Sequence, residues 1–244
     1  MSSHHGRRHR EGLQKVDRER EYEPAEAVAL VKSLADAKFD ESIELHVRTG
    51  LNVRHADEQL RGTIALPNGL GKDVKIIVFA QGPKVAEAQA AGADEVGGED
   101  LAKKIEEGFD EFDVAIATPD LMSVVGRLGR VLGPSGKMPN PKVGTVTMDV
   151  AKAVEESKSG KVEYRTDRTA IVHMVIGKAS FDERALLENY AAVIEELIRA
   201  KPSAAKGRYL RTITLTSTMG PGVKVDPSRT RDIIEEAPPQ AVAA

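Results

Sequence analysis

The chain has 244 residues, of which 41% are hydrophobic and only 4% aromatic, and its formal net charge is −3. This length and composition suit one large domain or two ordinary ones with mainly aliphatic cores. Cysteine is absent, which excludes disulfides, thiolate metal sites and a cysteine nucleophile and fits a reducing cytosol. Because no apolar run could span a membrane and the N-terminus lacks the apolar core of a signal peptide, we expect a cytoplasmic protein without membrane contact.

Charge is distributed unevenly along the chain. Residues 201–225 contain five basic residues and no acid, and residues 1–20 are also rich in basic side chains. Residues 94–113, in contrast, contain nine acids and two lysines. A protein with basic ends and an acidic middle is expected to offer one surface to a polyanion and to leave another in solvent.

The first part of the chain predicts a helix followed by isolated strands. Residues 1–17 are too polar for a core of their own and predict either a solvated tail or a helix that docks against the rest. Pro24 suits the first turn of a helix, and Ile43, Leu45 and Val47 alternate with polar residues as in a half-buried strand. The predicted elements are a helix over 24–37 and strands over 42–49 and 62–66.

From Asp73 the pattern changes to continuous apolar strands that alternate with helices, which predicts a parallel sheet covered on both faces. The predicted strands are 74–80, a short one near Glu95, and 112–118. The predicted helices are 83–92, 99–108, 119–131 and 149–158. Glycine-containing hinges at Gly69, Gly71, Ser159 and Gly160 would bound this block.

The last part of the chain returns to alternating strands. It predicts a hairpin of 161–167 and 170–178, a helix over 182–200, a strand over 209–218 and a last short strand. The side chains expected on the buried face of the helix are Leu186, Leu187, Tyr190, Val193, Ile194, Leu197 and Ile198.

An isolated pair of strands is marginal in water, so the early strands need partners from the other end of the chain. The predicted fold is therefore mixed, α/β and α+β, in two domains. A discontinuous α+β domain is built from 1–67 and 160–228, a Rossmann-like parallel-sheet domain over 68–159 is inserted into it, and 229–244 is a disordered tail.

An enzyme on the inserted domain is the main alternative. The strand ending at Ala80 is followed by AQGPKVAEA, which lacks the G-x-G-x-x-G fingerprint of a dinucleotide site. Val131 and Met138 stand where a P-loop requires glycine and serine or threonine. The six histidines do not cluster. We therefore expect no cofactor, no metal site and no catalytic activity. A protein-binding adaptor that uses the acidic helices is a third possibility.

Residues 126–147, GRLGRVLGPSGKMPNPKVGTVT, are unlike an ordinary surface loop. They contain five glycines, three prolines and four basic residues but no acid. This composition predicts a shaped, non-helical loop whose amides and cations suit a phosphate-rich partner. A plain connection between domains is the alternative interpretation.

The same segment resembles the signature of the L-one family of large-subunit ribosomal proteins, GxLGRxLGPRGLMPNPKxGTVT. Ser135 stands where arginine is usual and Lys137 where leucine is usual. The resemblance extends from AKFDESIELH at Ala37 to STMGPGVKV at Ser217. It implies a discontinuous two-domain layout and no enzymatic role.

The resemblance also implies partners: large-subunit rRNA at the mobile stalk, deacylated tRNA leaving the exit site, and the protein's own operon mRNA, whose translation it would repress. The protein would be a monomer outside the ribosome.

The resemblance places the principal RNA surface on the domain built from both chain ends. The implied RNA-binding residues are Lys38, Phe39, Ser42, Glu44, Arg168, Thr212, Thr218, Met219 and Gly220. A lysine can neutralise a phosphate, and a phenylalanine can stack on a base, although Phe39 could instead pack in the core. Thr212 stands where serine is usual and Arg168 where lysine is usual. A secondary RNA contact would use Arg130, Lys137, Asn140 and Lys142.

Overall fold

The computed structural model describes residues 6–158 and 160–230. Its helices are α1 (Arg7–Lys15), α2 (Pro24–Leu34), α3 (Pro83–Ala90), α4 (Glu99–Glu106), α5 (Met122–Val125), α6 (Gly129–Leu132), α7 (Val150–Lys158) and α8 (Glu183–Arg199). Its strands are β1 (Ser42–Thr49), β2 (Arg61–Ala65), β3 (Ile76–Phe79), β4 (Glu95–Gly97), β5 (Val114–Ala117), β6 (Lys161–Arg165), β7 (Ile171–Lys178), β8 (Leu210–Ser217) and β9 (Val223–Val225). No helix within the described residues is long and apolar enough to cross a membrane.

Internal contacts divide the chain into two compact units. The end-built unit comprises Met1–Gly71 and Tyr164–Ala244, and the inserted unit comprises Lys72–Glu163. The predicted boundaries of independently folding domains, at 67/68 and 159/160, stay a prediction. Of the predicted tail, 229–244, only the first two residues are described, and Arg229 forms an ion pair with Glu23 (3.0 Å).

The end-built unit is organised around a four-stranded sheet with the order β7-β1-β8-β9, whose neighbouring strands are all antiparallel. On β1, alternate side chains face a core that α2 and α8 help to form, and Ile43, Leu45 and Val47 are each 1% exposed. Burying each of these contributes about 2 kcal/mol. The period-two pattern predicted for 42–49 is confirmed, and both partners of β1 come from the far end of the chain.

The predicted hairpin of 161–167 and 170–178 is wrong. Strand β7 pairs with β1, whereas β6 pairs with β2 in a separate two-stranded sheet, and only an isolated bridge joins Thr166 to Val172. The chain does turn at the expected place, because the Asp167 carboxylate accepts hydrogen bonds from the amides of Thr169 (2.8 Å) and Ile171 (2.7 Å). Beyond the turn, β7 aligns its apolar residues with those of β1. Because β7 pairs with β1 in this register, it does not continue to pair with β6.

The inserted unit contains a parallel sheet, as predicted, and the order of its strands is β4-β3-β5. All four residues of β3 are buried, with Ile76 and Val78 packed in one core and Ile77 and Phe79 in another. Residues of α3 and α7 complete the first core, and residues of α4 and α6 complete the second. Burial on both faces explains why this strand is continuously apolar.

The helix expected over 119–131 is confirmed as a continuous helical stretch, although it consists of the short 3-10 turns Pro119–Leu121 and Gly126–Leu128 and the single-turn helices α5 and α6. The prediction that all of 126–147 is a non-helical loop is wrong. The first seven residues of the segment expected to be a non-helical loop are therefore helical. Leu128 and Leu132 are each 1% exposed, and their burial in the core of the parallel sheet holds these turns. The left-handed turns come later, at Gly136 (φ 75°) and Gly144 (φ 81°).

On α8, the predicted buried side is confirmed at six positions and wrong at Ile198, which is 42% exposed. Sequence periodicity did not single out Asn189, which is fully buried on the same face. Its side-chain amide donates to the carbonyl oxygens of Ile176 (2.7 Å) and Gly69 (3.0 Å), and its oxygen accepts from the Asn68 amide (3.0 Å).

These bonds attach the first predicted hinge to α8. Gly69 and Gly71 both have left-handed φ angles, of 63° and 66°. A Cβ on Gly71 would lie 2.5 Å from the Phe181 ring, so the close approach also requires glycine here. Gly160 is left-handed as well (φ 93°), and Ser159 lies outside the described residues. The hinge role of these four residues stays a prediction.

Replacing Asn189 by alanine should destabilise the end-built unit. The substitution leaves the Asn68 amide and the Ile176 carbonyl without their partner, and an unsatisfied buried group costs about 1–3 kcal/mol. We expect the free energy of unfolding in urea to fall by about 3 kcal/mol. Glu195→Ala, at an exposed position of α8, is the control and should change it by less than about 0.5 kcal/mol. Equal effects of the two substitutions would contradict the anchoring role.

Candidate nucleic-acid interface

The side of the four-stranded sheet that faces away from the core is lined mainly by polar residues. Strand register places Thr216 beside Glu44, Thr214 beside His46, and Thr212 beside Arg48. We call this surface the polar face. It comprises Ser42, Glu44, His46, Arg48, Ile171, His173, Val175, Lys178, Thr212, Thr214, Thr216 and Lys224, none of which is fully buried.

The chemistry of the polar face suits a phosphate backbone. Hydroxyl groups form a row along β8, and Arg48, Lys178 and Lys224 bring positive charge from three different strands. Glu44 is the single carboxylate in the set. From Ser42 to Arg48 the strand rises about 20 Å, which is several nucleotides of an RNA strand.

Two loops adjoin one end of the polar face, one before β1 and one after β8. They are tied together because Thr218 donates its amide to the Ser42 carbonyl (3.0 Å), while the Ser42 amide donates to the Thr218 hydroxyl (2.9 Å). Phe39 on the first loop is 53% exposed, and Met219 on the second is 51% exposed. The alternative that Phe39 packs in the core is therefore wrong.

Both loops are held by the buried carboxylate of Glu41, which is 1% exposed. It accepts hydrogen bonds from the amides of Ala37 (2.8 Å) and Met219 (2.9 Å), residues that belong to different loops. Burial alone would raise the pKa of this carboxyl. The Met219 amide, the nearby Ser217 hydroxyl, the Ala37 amide and, least, the charge of Arg8 together outweigh burial, and they lower the pKa below its ordinary value of 4.5.

Sequence reasoning did not select Glu41, although it lies within the AKFDE segment on which the resemblance rests. An acid just before a strand looks like any solvated charge. Only its burial and its bond to Met219, 178 residues further along, reveal its role as a positioning residue.

The structure arranges the predicted RNA-binding residues in a line rather than a compact patch. Those at the loop end are Lys38, Phe39, Ser42, Thr218, Met219 and Gly220. Glu44 follows along β1, and Thr212 lies beside Arg48 near the opposite end of the sheet. Arg168 is exposed in the turn before β7, also at that opposite end. At Gly220 a Cβ would lie 2.5 Å from the Ser217 hydroxyl oxygen, so a larger residue here would have to displace that hydroxyl.

The interpretation that the histidines do not cluster is wrong for His46 and His173. The register of β1 and β7 places them opposite each other, with their Nδ1 atoms 2.9 Å apart. The outer nitrogens face carboxylates, since Nε2 of His46 lies 3.6 Å from Glu44 and Nε2 of His173 lies 3.5 Å from Asp167. Burial, and then the nearby His173, lower the pKa of His46, although Glu44 opposes the shift.

The predicted secondary contact lies on the inserted unit. Arg130 is exposed on α6, and Lys142 lies in the 3-10 turn Pro141–Val143. The Asn140 amide donates to the Thr145 hydroxyl (2.8 Å). Lys137 is engaged within the unit, because its ammonium pairs with Asp110 and lies 4.7 Å from the centre of the Phe112 ring. The charge gained at this position is therefore partly neutralised by the protein itself.

Within the residues that the structure describes, no group of three or more histidines and carboxylates could hold a metal ion. A sheet face lined with hydroxyls and cations, flanked by an exposed phenylalanine and methionine, is typical of a protein that binds nucleic acid.

Comparison with known proteins agrees with this class. Residues 31–221 match the model of the Ribosomal protein L1p/L10e family. The large ribosomal subunit protein uL1 of Thermobifida fusca (strain YX) is 55% identical over 229 residues, which cover 94% of this chain and 97% of the relative. The chain belongs to the Ribosomal protein L1p/L10e family, as the resemblance predicted. This is a family of structural ribosomal proteins and not of enzymes, and the predicted location in the cytoplasmic ribosome is confirmed.

Removing the charge of Glu41 should destabilise the protein in a pH-dependent way. Because the folded-state pKa is lowered, the ionised carboxylate stabilises the fold above about pH 4.5, and this contribution is lost as the pH falls through the folded-state pKa. We expect Glu41→Gln to lower the free energy of unfolding by about 2 kcal/mol at pH 7.

The measurement is urea unfolding of the wild type and the variant between pH 3.5 and pH 7.5, where the difference should shrink towards the acidic end. Glu19→Gln, at an exposed carboxyl, is the matched control and should show no such difference. A difference between Glu41→Gln and the wild type that stays constant with pH would contradict the assignment.

Proposed function

We propose that the polar face and its two flanking loops bind large-subunit rRNA at the mobile stalk. The observation that carries the proposal is the exposure of Phe39 and Met219 on two loops that Glu41 holds together. Phe39 follows Lys38 in the sequence, and Met219 follows Thr218. The two exposed apolar side chains are surrounded by hydroxyls and cations, and apolar surface rimmed by polar groups is typical of an interaction site.

The contacts available are those that suit structured RNA. The hydroxyls of Ser42, Thr212 and Thr218 can bond to ribose 2′-hydroxyls or phosphates, and Lys38 and Arg168 can neutralise phosphates. Phe39 can stack on an unpaired base, and Met219 can lie against a sugar or base. While it is ionised, the Glu44 carboxylate accepts hydrogen bonds but donates none, so its partner would be a donor such as a 2′-hydroxyl or a base amine. Recognition of this kind reads shape and backbone more than base edges.

The inserted unit would provide the second contact. Residues 126–147 offer Arg130, Asn140 and Lys142 to the same or an adjacent RNA, with the unit moving about the hinges Gly69–Gly71 and Ser159–Gly160. Because Asn189 and Phe181 hold the first hinge on the end-built unit, we propose that bending begins after Gly71. Lys137 would have to leave Asp110 before it could contact a phosphate.

Two further roles belong to this proposal. A stalk protein whose second lobe moves could assist the release of deacylated tRNA from the exit site. The same polar face could bind a similar RNA structure in the protein's own operon mRNA and so repress its translation. Both roles require the protein to act through recognition and not through chemistry, as a monomer when it is outside the ribosome.

Truncating the exposed apolar side chains should weaken RNA binding without unfolding the protein. Stacking on a base contributes about 1–3 kcal/mol, so Phe39→Ala should raise the Kd for a stalk rRNA fragment by roughly 5- to 150-fold. Met219→Ala should also raise it, by a smaller factor. The measurement is filter binding, repeated with the leader of the protein's own mRNA.

Ile198→Ala is the control, since Ile198 is a similarly exposed apolar residue on α8. It should leave both affinities unchanged. If Phe39→Ala bound both RNAs like the wild type, the proposed role of Phe39 would be rejected. If the substitution weakened binding to the rRNA but not to the mRNA leader, the result would argue against repression through the same face.

Binding should also depend steeply on salt, and removing a phosphate contact should reduce that dependence. The logarithm of the association constant falls by about 0.7–0.9 per phosphate neutralised for each tenfold increase in salt. We expect Arg48→Ala to lower this slope by about that amount. Arg184→Ala removes an exposed charge on α8 and should leave the slope unchanged. A wild-type affinity that does not change with salt would contradict the role of the cations.

A further inference from the structure

The pair formed by His46 and His173 lies within the polar face, between Ser42 and Arg48 on β1 and closer to Arg48. The two side chains are 26% and 51% exposed, so the pair borders solvent. Thr214 lies beside it on β8. On β1 and β7 the ionisable groups at this point are histidines, while Arg48 lies two residues further along β1 and Lys224 lies beside Thr214 on β9.

We propose that the His46–His173 pair is an additional phosphate-binding element of this surface, whose positive charge depends on proton uptake. The inference rests on the proposed RNA-binding function and adds to it a pH-dependent contact. The ligand group is a backbone phosphate of the bound RNA.

The contact between the two rings limits the charge that the free protein can carry here. Two imidazole nitrogens 2.9 Å apart form a hydrogen bond only when one bears a proton and the other does not. While the contact holds, the pair therefore carries at most one positive charge. Full protonation places N–H groups on both facing atoms, and the rings must then separate.

The surroundings are arranged to accept one charge more easily than two. The outer nitrogens face Glu44 on β1 and Asp167 in the turn before β7, and the Glu44 carboxylate acts to raise the pKa of His46 against burial. Hydrogen bonds, including those from the Ile171 amide and Thr169, outweigh burial and lower the pKa of Asp167 to about 2, so it stays ionised.

Other charged groups oppose a second proton. Arg48 on β1, Arg168 in the same turn as Asp167, Lys178 on β7 and Lys224 on β9 add positive charge, while β8 contributes only threonines to this part of the face.

An RNA phosphate on the polar face would change this balance. A negative charge near the pair compensates the repulsion between two imidazolium rings, so each ring can point an N–H group at a phosphate oxygen. RNA binding and proton uptake are then linked, and each must favour the other. If one proton is taken up for each RNA bound, the affinity for RNA rises as the pH falls. The rise is at most about tenfold for each pH unit within the titration range.

The test measures the Kd of the full-length protein for the stalk rRNA fragment from pH 5.5 to pH 8.0 at constant ionic strength. We expect wild-type affinity to rise by about three- to tenfold per pH unit below about pH 7. His46→Gln and His173→Gln should each flatten this dependence, and the double variant should remove it. His55→Gln, at an exposed histidine outside the polar face, should keep the wild-type profile and reports any effect of pH on the RNA itself.

NMR titration of the imidazole resonances with and without RNA gives a second readout, which does not depend on comparing variants. The pKa of His46 should be higher in the complex than in the free protein. If wild-type protein bound the rRNA with no change between pH 5.5 and pH 8.0, or if the double variant kept the wild-type profile, this inference would be overturned and the proposed function would stand. Absence of rRNA binding at every pH would instead overturn the proposed function.

Discussion

Within the described residues, both pairing partners of strand β1, β7 and β8, come from beyond residue 170, and its backbone amides and carbonyls are satisfied when these two strands flank it. A buried strand with unpaired polar groups is costly, so this requirement brings the two ends of the chain together. The inserted unit can be accommodated because it forms its own parallel sheet and its own cores on both faces of β3. The end-built unit therefore forms because β1 pairs with both β7 and β8.

The candidate interface follows directly from the same pairing. The contacts that join its two loops and its facing strands link residues that are more than 100 positions apart: Ser42 with Thr218, Glu41 with Met219, and His46 with His173. None of these contacts requires unusual residues. Antiparallel register places the threonines of β8 beside the charged residues of β1, and burial of Glu41 then fixes the two loops that present Phe39 and Met219. A binding surface and a sheet core are thus two sides of one structural element.

The segment 126–147 shows how a composition that suits a ligand can also serve the fold. Its first third is helical, with Leu128 and Leu132 buried in the core of the inserted unit. Its glycines with left-handed φ angles shape the remainder, and Lys137 is paired with Asp110. The similarity to the family signature therefore reflects packing constraints as well as any contact with RNA. Residues such as Arg130, which are exposed and have no packing role, are the better candidates for contacts in this segment.

Sequence alone determined the elements whose patterns are local. The alternation over 42–49, the continuous apolar run of β3 and the six buried positions of α8 each follow from one periodicity, and each was found. The family motif located the loops at Phe39 and Met219.

Tertiary structure decided what depends on partners distant in the chain: that β6 and β7 separate into different sheets, that Ile198 is exposed, that Glu41 is buried between two loops, and that two histidines on different strands meet. Periodicity reports which side of an element is apolar. Which residue lies opposite is set by strand register across the whole fold, and that information is absent from any local stretch of sequence.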